Sequence, residues 1–365
     1  MSSSAPNRLR EAAEIAARFG VCNGPTRVDP FGNGLINHTF LVSCGKSRMV
    51  LQRINSRVFS HPGRILANLS RLSTHLEKKA GTRLRIPGLI PARDGRRWIE
   101  GEEGALWRLM EFIDGGRVLA GIRCGGQAAE VGRALGAFHV AAADLDTREM
   151  AVTIPNFHVT PGYVDRLIQL AQNRNNPRNH EIQPELDFIS ARRASTGVLE
   201  RARLKGDLPD RVVHGDPKLD NFLFDDSERR ALAVIDLDTV QPGIVHYDIG
   251  DCLRSCCNRG GESMDGHTTV SFDLLLCRGL LAAYAKETGP LLAPPEVELI
   301  YDAIRLIPFE LGVRFLTDHL EGDRWFRVAY PGQNLAKARI QLALTEDVER
   351  KEAAIREIIE RCFAP

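Results

Sequence analysis

The 365-residue chain predicts an α+β protein, with a small β-rich N-terminal lobe over residues 1–114 and a larger, mainly helical C-terminal lobe over 115–365. Three observations lead there. Residues 28–54 read as strand, turn, strand, turn, strand, and two further strand-like runs end near Asp114. Beyond Gly115 and Gly116 the apolar residues recur mostly at helical spacing. Inside that helical half, residues 211–240 return to short apolar runs around a polar loop.

In chain order, Leu9, Ala13, Ala16 and Phe19 mark a short amphipathic helix. The strands VDPF, HTFLVS and RMVLQRI follow, separated by the turn-forming FGNGLIN and CGKS. From Pro62 to about Lys79, Ile65, Leu66, Leu69, Leu72 and Leu76 mark a longer helix. RRWIE and ALWRLMEFI, broken by GEEG, complete the first lobe. The second holds expected helices at 127–142, 161–173, 184–204, 272–287, 295–320 and 346–361, with RVV, NFLF and ALAVID as strands. The polar, glycine-rich stretch 260–268 reads as a mobile loop.

A net charge of +1, from 48 basic and 47 acidic residues, creates no bulk field for nucleic acid or an anionic membrane. No apolar run approaches the ~20 residues needed to span a bilayer, and the first 20 residues lack the apolar core of a secretory signal. A cytoplasmic location is the expectation. The eight cysteines form no CxxC pair and no zinc-type spacing, so they read as buried, reduced thiols.

The chemistry concentrates in VVHGDPKLDNFLF, residues 212–224, where a polar loop is clamped between apolar strands. Asp216 and Asn221 stand five apart, and Asp236 ends a later apolar strand in VIDLDTV. That order matches phosphoryl transfer of the kinase type, in which one Asp accepts the substrate hydroxyl's proton while an Asn and a later Asp hold metal. Amide and carboxylate oxygens are the hard ligands that Mg2+ takes. A lone His-Gly-Asp would read as a polar turn; the added Asn and strand-end Asp are far more specific. Upstream, Gly32, Asn33 and Gly34 lie in the first hairpin, where glycines let backbone N–H groups approach phosphates. Asn37 stands where a third glycine of GxGxxG would be, and Gly-Asn-Gly is also an ordinary hairpin turn. Gly45-Lys46-Ser47 is no P-loop, because position 40 is Phe.

With HGDxxxxN and the strand-borne Asp in hand, the chain resembles the aminoglycoside-phosphotransferase and choline-kinase superfamily, relatives of protein kinases. The resemblance covers most of the chain and implies a protein-kinase-like two-lobed fold with ATP as co-substrate and Mg2+. It implies Asp216 as base, Asn221 and Asp236 as metal ligands, His214 as a brace of the loop, and Lys218 as a neutraliser of phosphoryl charge. By the same order Arg53 replaces the usual phosphate-binding lysine of the third strand, and the following helix offers it no clear ion-pair partner, with Glu77 only near its end and Asn68 nearer its middle. Backbone groups at Glu111, Phe112 and Ile113 would pair with adenine.

HGDPKLDNFLF, VIDLDTVQPG, LQRIN and GNGLINHTF together look like the N-acetylhexosamine 1-kinases. That resemblance implies phosphorylation of the anomeric hydroxyl of N-acetylglucosamine or N-acetylgalactosamine, with Asp216, Arg314 and Asp318 at the sugar. Arg314 and Asp318 are one helical turn apart, so a surface ion pair is the competing account. VTIPNFH and AYPGQN are further pocket candidates, while Asp248 and Asp251 read as structural. Two alternatives stay open: an aminoglycoside or amino-alcohol phosphotransferase of the same fold, and a nucleotide-binding pseudokinase scaffold. The sequence carries no sign of oligomeric state.

Overall fold

The computed structural model describes residues 5–22, 25–32, 37–56, 59, 61–79, 84–173, 177–261 and 270–364. The chain begins with α1 (Ala5–Phe19), β1 (Thr26–Pro30), β2 (His38–Cys44), β3 (Ser47–Arg53) and α2 (Pro62–Glu77). Short strands β4 (Leu89–Ile90) and β5 (Ile99–Glu100) then precede β6 (Leu106–Glu111). The strands form one antiparallel sheet in the order β1-β2-β3-β6-β4, with β5 also paired to β6. Side chains alternate across it. One face buries Phe40, Val42, Leu51, Trp107 and Leu109 against Ala12, Ile15, Ala16 and Phe19 of α1. Of the stripe expected on α1, Ala13 instead faces solvent. Val50 and Met110, on the other face, join Leu69 and Leu72 of α2 in a core that continues into the second lobe.

That lobe runs α3 (Gly125–Ala142), α4 (Thr160–Ala171), α5 (Gln183–Arg192), α6 (Val198–Lys205), β7 (Arg211–Val213), β8 (Phe222–Phe224), β9 (Ala231–Val234) and β10 (Gln241–Gly243). It continues with α7 (Val245–Cys257), α8 (Leu274–Thr288), α9 (Pro294–Glu298), α10 (Ile300–Glu321), α11 (Gln333–Arg350) and α12 (Glu352–Phe363). The expected α+β architecture is therefore the observed one. α3 and α8 pack so closely that a Cβ on Gly132 would sit 2.0 Å from the Leu280 carbonyl oxygen.

Several boundaries differ from the sequence reading. The expected helix 184–204 is two helices, because the Ser195 and Thr196 hydroxyls donate to the carbonyls of Arg192 and Arg193 and compete with the helical ladder. The stretch 295–320 likewise divides into α9 and α10, and the helical C-terminus begins at Gln333 rather than 346. α7 went unread because its polar residues His246, Asp248, Asp251 and Arg254 are buried with its apolar ones, so polarity along the segment does not mark a solvent face. Most of the glycine-rich stretch 260–268 lies outside the described residues. Among the described residues no helix is long and apolar enough to cross a membrane.

Candidate active site

The loop 214–221 leaves β7 and enters β8, and β8 pairs with β9 so that Phe222 faces Val234. This register sets Asn221 opposite Ile235, whose N–H donates to the Asn221 carbonyl at 2.9 Å. Asp236 follows directly. One short loop and a hairpin thus bring Asp216, Asn221 and Asp236 to one place.

Asp248 of α7 anchors the loop. Its buried carboxylate accepts from the backbone N–H groups of His214 (2.7 Å) and Gly215 (2.8 Å) and hydrogen-bonds His139 Nε2 at 2.9 Å. Burial opposes its charge, yet these bonds hold its carboxyl below the ordinary range. Gly215 has φ +85°, and a Cβ there would meet the Thr239 carbonyl oxygen at 2.8 Å, so the turn demands glycine. His214 Nε2 bonds the Ile235 carbonyl at 3.0 Å while Nδ1 accepts from the Asp216 N–H at 3.2 Å. That pairing needs the neutral ring, and burial lowers the His214 pKa accordingly. The imidazole ties the loop to the end of β9.

Asp216 itself is half-buried. Its Oδ2 accepts from Lys218 Nζ at 2.6 Å and from Asn221 Nδ2 at 3.2 Å. Burial works against the Lys218 ammonium, but the carboxylates of Asp216, Asp236 and Asp251 hold it charged and raise its pKa. With its amide nitrogen on Asp216, Asn221 keeps its amide oxygen for another partner. Asp236 opens to the cleft with φ 62° and ψ 58°, a left-handed conformation uncommon for a residue other than glycine. Protein atoms crowd it on its inner side. That crowding, with the negative charges of Asp238 and Asp216, pushes its carboxyl up to about 7 against the pull of Lys218 and Arg108. A cation placed here would relieve the repulsion. Asn221 and Asp236 supply two hard oxygens, and Mg2+–nucleotide sites characteristically combine one or two such protein ligands with phosphate oxygens.

Residues 27–284 match the model of the phosphotransferase enzyme family. The chain belongs to that family. Its fold is similar to that of an aminoglycoside phosphotransferase from Alicyclobacillus acidocaldarius, at 15% identity, with a TM-score of 0.68 over 99% of this chain and 98% of the other. A GDP complex of aminoglycoside 2'-phosphotransferase-IIIa is also similar (16% identity, TM-score 0.57, 95% and 99% covered). So is the choline kinase of Cryptosporidium parvum (15% identity, TM-score 0.58, 96% and 99%). At such identities these structures speak to the fold alone.

On the nucleotide side of this phosphotransferase, Asn33 and Gly34 lie outside the described residues. Gly32 is described with φ +72°, beside Phe31, whose N–H closes the hairpin on the Thr39 carbonyl at 2.9 Å. Glu111 ends β6 and donates its N–H to Gly88, and Phe112 packs edge-on to Phe31 beneath Arg48. Arg53 corrects the sequence expectation. It shares parity with Met49 and Leu51, so it points to the α1 face, away from the cleft, with Nε 3.9 Å from Glu11. The cleft-facing residue of β3 at this height is Gln52, and its cross-strand partner Arg108 is the buried cation there. Asn68 is no ion-pair partner either: it holds α2 to the carbonyls of Ala151 and Val240.

A cavity of about 250 Å³ adjoins Gly215, walled by Ile154–His158, Arg203, Gln241 and Tyr247. VTIPNFH therefore lines it. His158, with φ 62°, donates from both ring nitrogens: to Glu310 of α10 (3.0 Å) and to the Gly215 carbonyl (3.0 Å). Burial alone would lower its pKa, but Glu310 outweighs it and the net shift is upward. Arg314 lies beside this wall, 3.7 Å from Glu310, with its guanidinium among the rings of Phe157, Tyr163 and Phe326. Asp318 is the second correction. It is buried, and both its oxygens are occupied by the N–H groups of Arg324, Trp325 and Phe326 and by Asn334 Nδ2. It fastens the loop that carries Phe326 and leaves no oxygen for a ligand. Sequence reading passed over His158 and Glu310, which no local spacing links.

Proposed function

We propose that this phosphotransferase moves the γ-phosphoryl group of ATP to the anomeric hydroxyl of an N-acetylhexosamine. The observation that carries the acceptor class is the cavity beside Gly215. Its charged lining residues are Arg203 and a doubly donating His158; among the described residues no carboxylate lines it, Glu310 and Glu200 standing behind His158 and Tyr247. Such a wall suits a neutral, hydroxyl-rich acceptor and opposes cationic amines. A volume of about 250 Å³, below the ~300–1,000 Å³ usual for drug-sized ligands, also favours a single sugar ring over a multi-ring antibiotic. The N-acetylhexosamine preference within that class rests on the sequence resemblance.

In this reading Asp216 takes the proton of the acceptor hydroxyl as its oxygen bonds to the γ-phosphorus and the bond to the β-phosphate oxygen breaks, releasing ADP. A hemiacetal hydroxyl is more acidic than an ordinary alcohol, which suits a carboxylate base. Lys218 and Asn221 hold Asp216 by one oxygen, and Lys218 adds positive charge beside the transferring group. Asn221 and Asp236 would hold Mg2+, which neutralises phosphate charge when bound. Arg314 contributes donors beside the aromatic wall.

The test is nucleotide consumption with Mg2+ and either ATP or GTP across N-acetylglucosamine, N-acetylgalactosamine, their 1-O-methyl glycosides, choline and an aminoglycoside. Turnover with the free sugars and not the glycosides is expected. Turnover only with a cationic acceptor would overturn the acceptor while keeping the family.

A further inference from the structure

One buried charge pair joins the two lobes at the cleft. Arg108 sits in β6 between Trp107 and Leu109, only 2% exposed. Gln52 Oε1 accepts from its Nε at 3.0 Å and its Nη2 at 2.6 Å, fixing the guanidinium plane. Nη2 then lies 2.5 Å from Oδ1 of Asp238, which is also buried. The other Asp238 oxygen accepts from Asn37 Nδ2 at 2.6 Å, and Asn37 Oδ1 in turn accepts from the Asn55 N–H at 3.0 Å. Asn37, before β2, and Arg108, on β6, therefore meet at one carboxylate two residues past Asp236, braced by Asn55 and Gln52 respectively. The same segment binds the catalytic loop, since Thr239 Oγ1 donates to the His214 carbonyl at 2.7 Å.

Stability does not explain this arrangement. Desolvating two charges costs as much as their attraction returns, and apolar replacements of buried ion pairs are often neutral or stabilising. Hydrogen bonding is also incomplete, because Arg108 Nη1 is buried without a hydrogen-bond partner among the described residues and Asp238 Oδ1, though close to Nη2, is not aligned for a hydrogen bond. What a buried pair does supply is a fixed register between the elements it joins. Asp236 needs such fixing: its left-handed backbone persists only where the surroundings over-determine it. In protein kinases an ion pair between the third strand and the following helix must be in place for transfer. Here the corresponding positions hold neutral Gln52 and Asn68.

We propose that Arg108 and Asp238 are a positioning pair that locks the metal-binding segment at Asp236 to the nucleotide-binding sheet. Gln52 and Asn37 orient the two partners. Neither charge touches the reacting atoms; the pair sets where the Asp236 carboxylate meets a magnesium–nucleotide complex. This rests on the phosphotransferase reading of the site.

The test measures affinity for a non-hydrolysable ATP or GTP analogue, with and without Mg2+, for wild type, Arg108→Met, Asp238→Leu and the double variant, alongside thermal unfolding. Outer residues that orient metal ligands typically alter metal affinity 10–100-fold. Each variant should keep the Mg2+-free affinity and lose about tenfold or more of the enhancement that Mg2+ confers. The double variant should unfold at or above the wild-type temperature and still lack that enhancement, which separates positioning from folding. A double variant with both stability and Mg2+ enhancement intact would overturn the proposal. Wild-type protein that binds neither magnesium–nucleotide complex would overturn the phosphotransferase reading, and the proposal with it.

Discussion

Among the described residues the Asp216 carboxylate is held by one oxygen, Oδ2, to which Lys218 and Asn221 both donate, and the Asn221 amide also donates to the Asp216 main-chain carbonyl at 2.7 Å. Replacement by Asn conserves shape and removes the base. We expect Asp216→Asn to retain nucleotide affinity by calorimetry while turnover falls roughly 10²–10⁴-fold, the range general base catalysis contributes. Near-normal turnover would remove Asp216 from that role. Asp216, Asn221 and Asp236 were legible because a short loop and one hairpin carry all three, so spacing along the chain nearly determines proximity. Arg53 was misread because its facing depends on strand parity, and the apolar neighbours that reveal parity belong to α1. Arg108 did leave a signal, a lone charge inside the apolar run LWRLM of residues 106–110.

At the scale of elements, close packing and loop fastening are the sensitive points. The Gly132→Ala methyl has no room against the Leu280 carbonyl, so α3 and α8 must separate. A loss of about 1–3 kcal/mol is expected from such overpacking, readable as a lower urea midpoint with an unchanged slope. Asp318→Ala would strand three backbone N–H groups and leave the Asn334 amide only its bond to Asp323 Oδ1. An unsatisfied buried donor costs about 1–3 kcal/mol, and the loosened loop carries Phe326, one ring beside Arg314. Acceptor KM should therefore rise while nucleotide KM holds; an unchanged acceptor KM would detach this loop from the pocket.

Across the whole molecule, protonation of His158 couples the catalytic loop to α10. Its pKa is raised above 6.5 in the folded protein, so its contribution to stability is full below pH 6.5 and disappears as pH rises through the folded value. His214 and His246 have lowered values and contribute with the opposite sign, losing stability as pH falls below 6.5. Melting temperatures of wild type and His158→Gln, compared from about pH 6 to about pH 9, isolate the first effect. The wild-type advantage should shrink as pH rises. A constant difference would mean that His158 does not bridge as an imidazolium.

The amino-acid order alone pointed to a β-rich part followed by a helical one, to the strand-borne loop and to the residues proposed as base and metal ligands. These depend on local periodicity and short spacing, which act before the chain is folded. The acceptor wall and the lock between lobes came only with the tertiary structure. Asn37 and Asp238 meet across 201 residues, and His158 and Glu310 across 152. Such pairs have no sequence period; they arise when helices and sheet faces bury their apolar sides and leave particular polar groups no partner but each other.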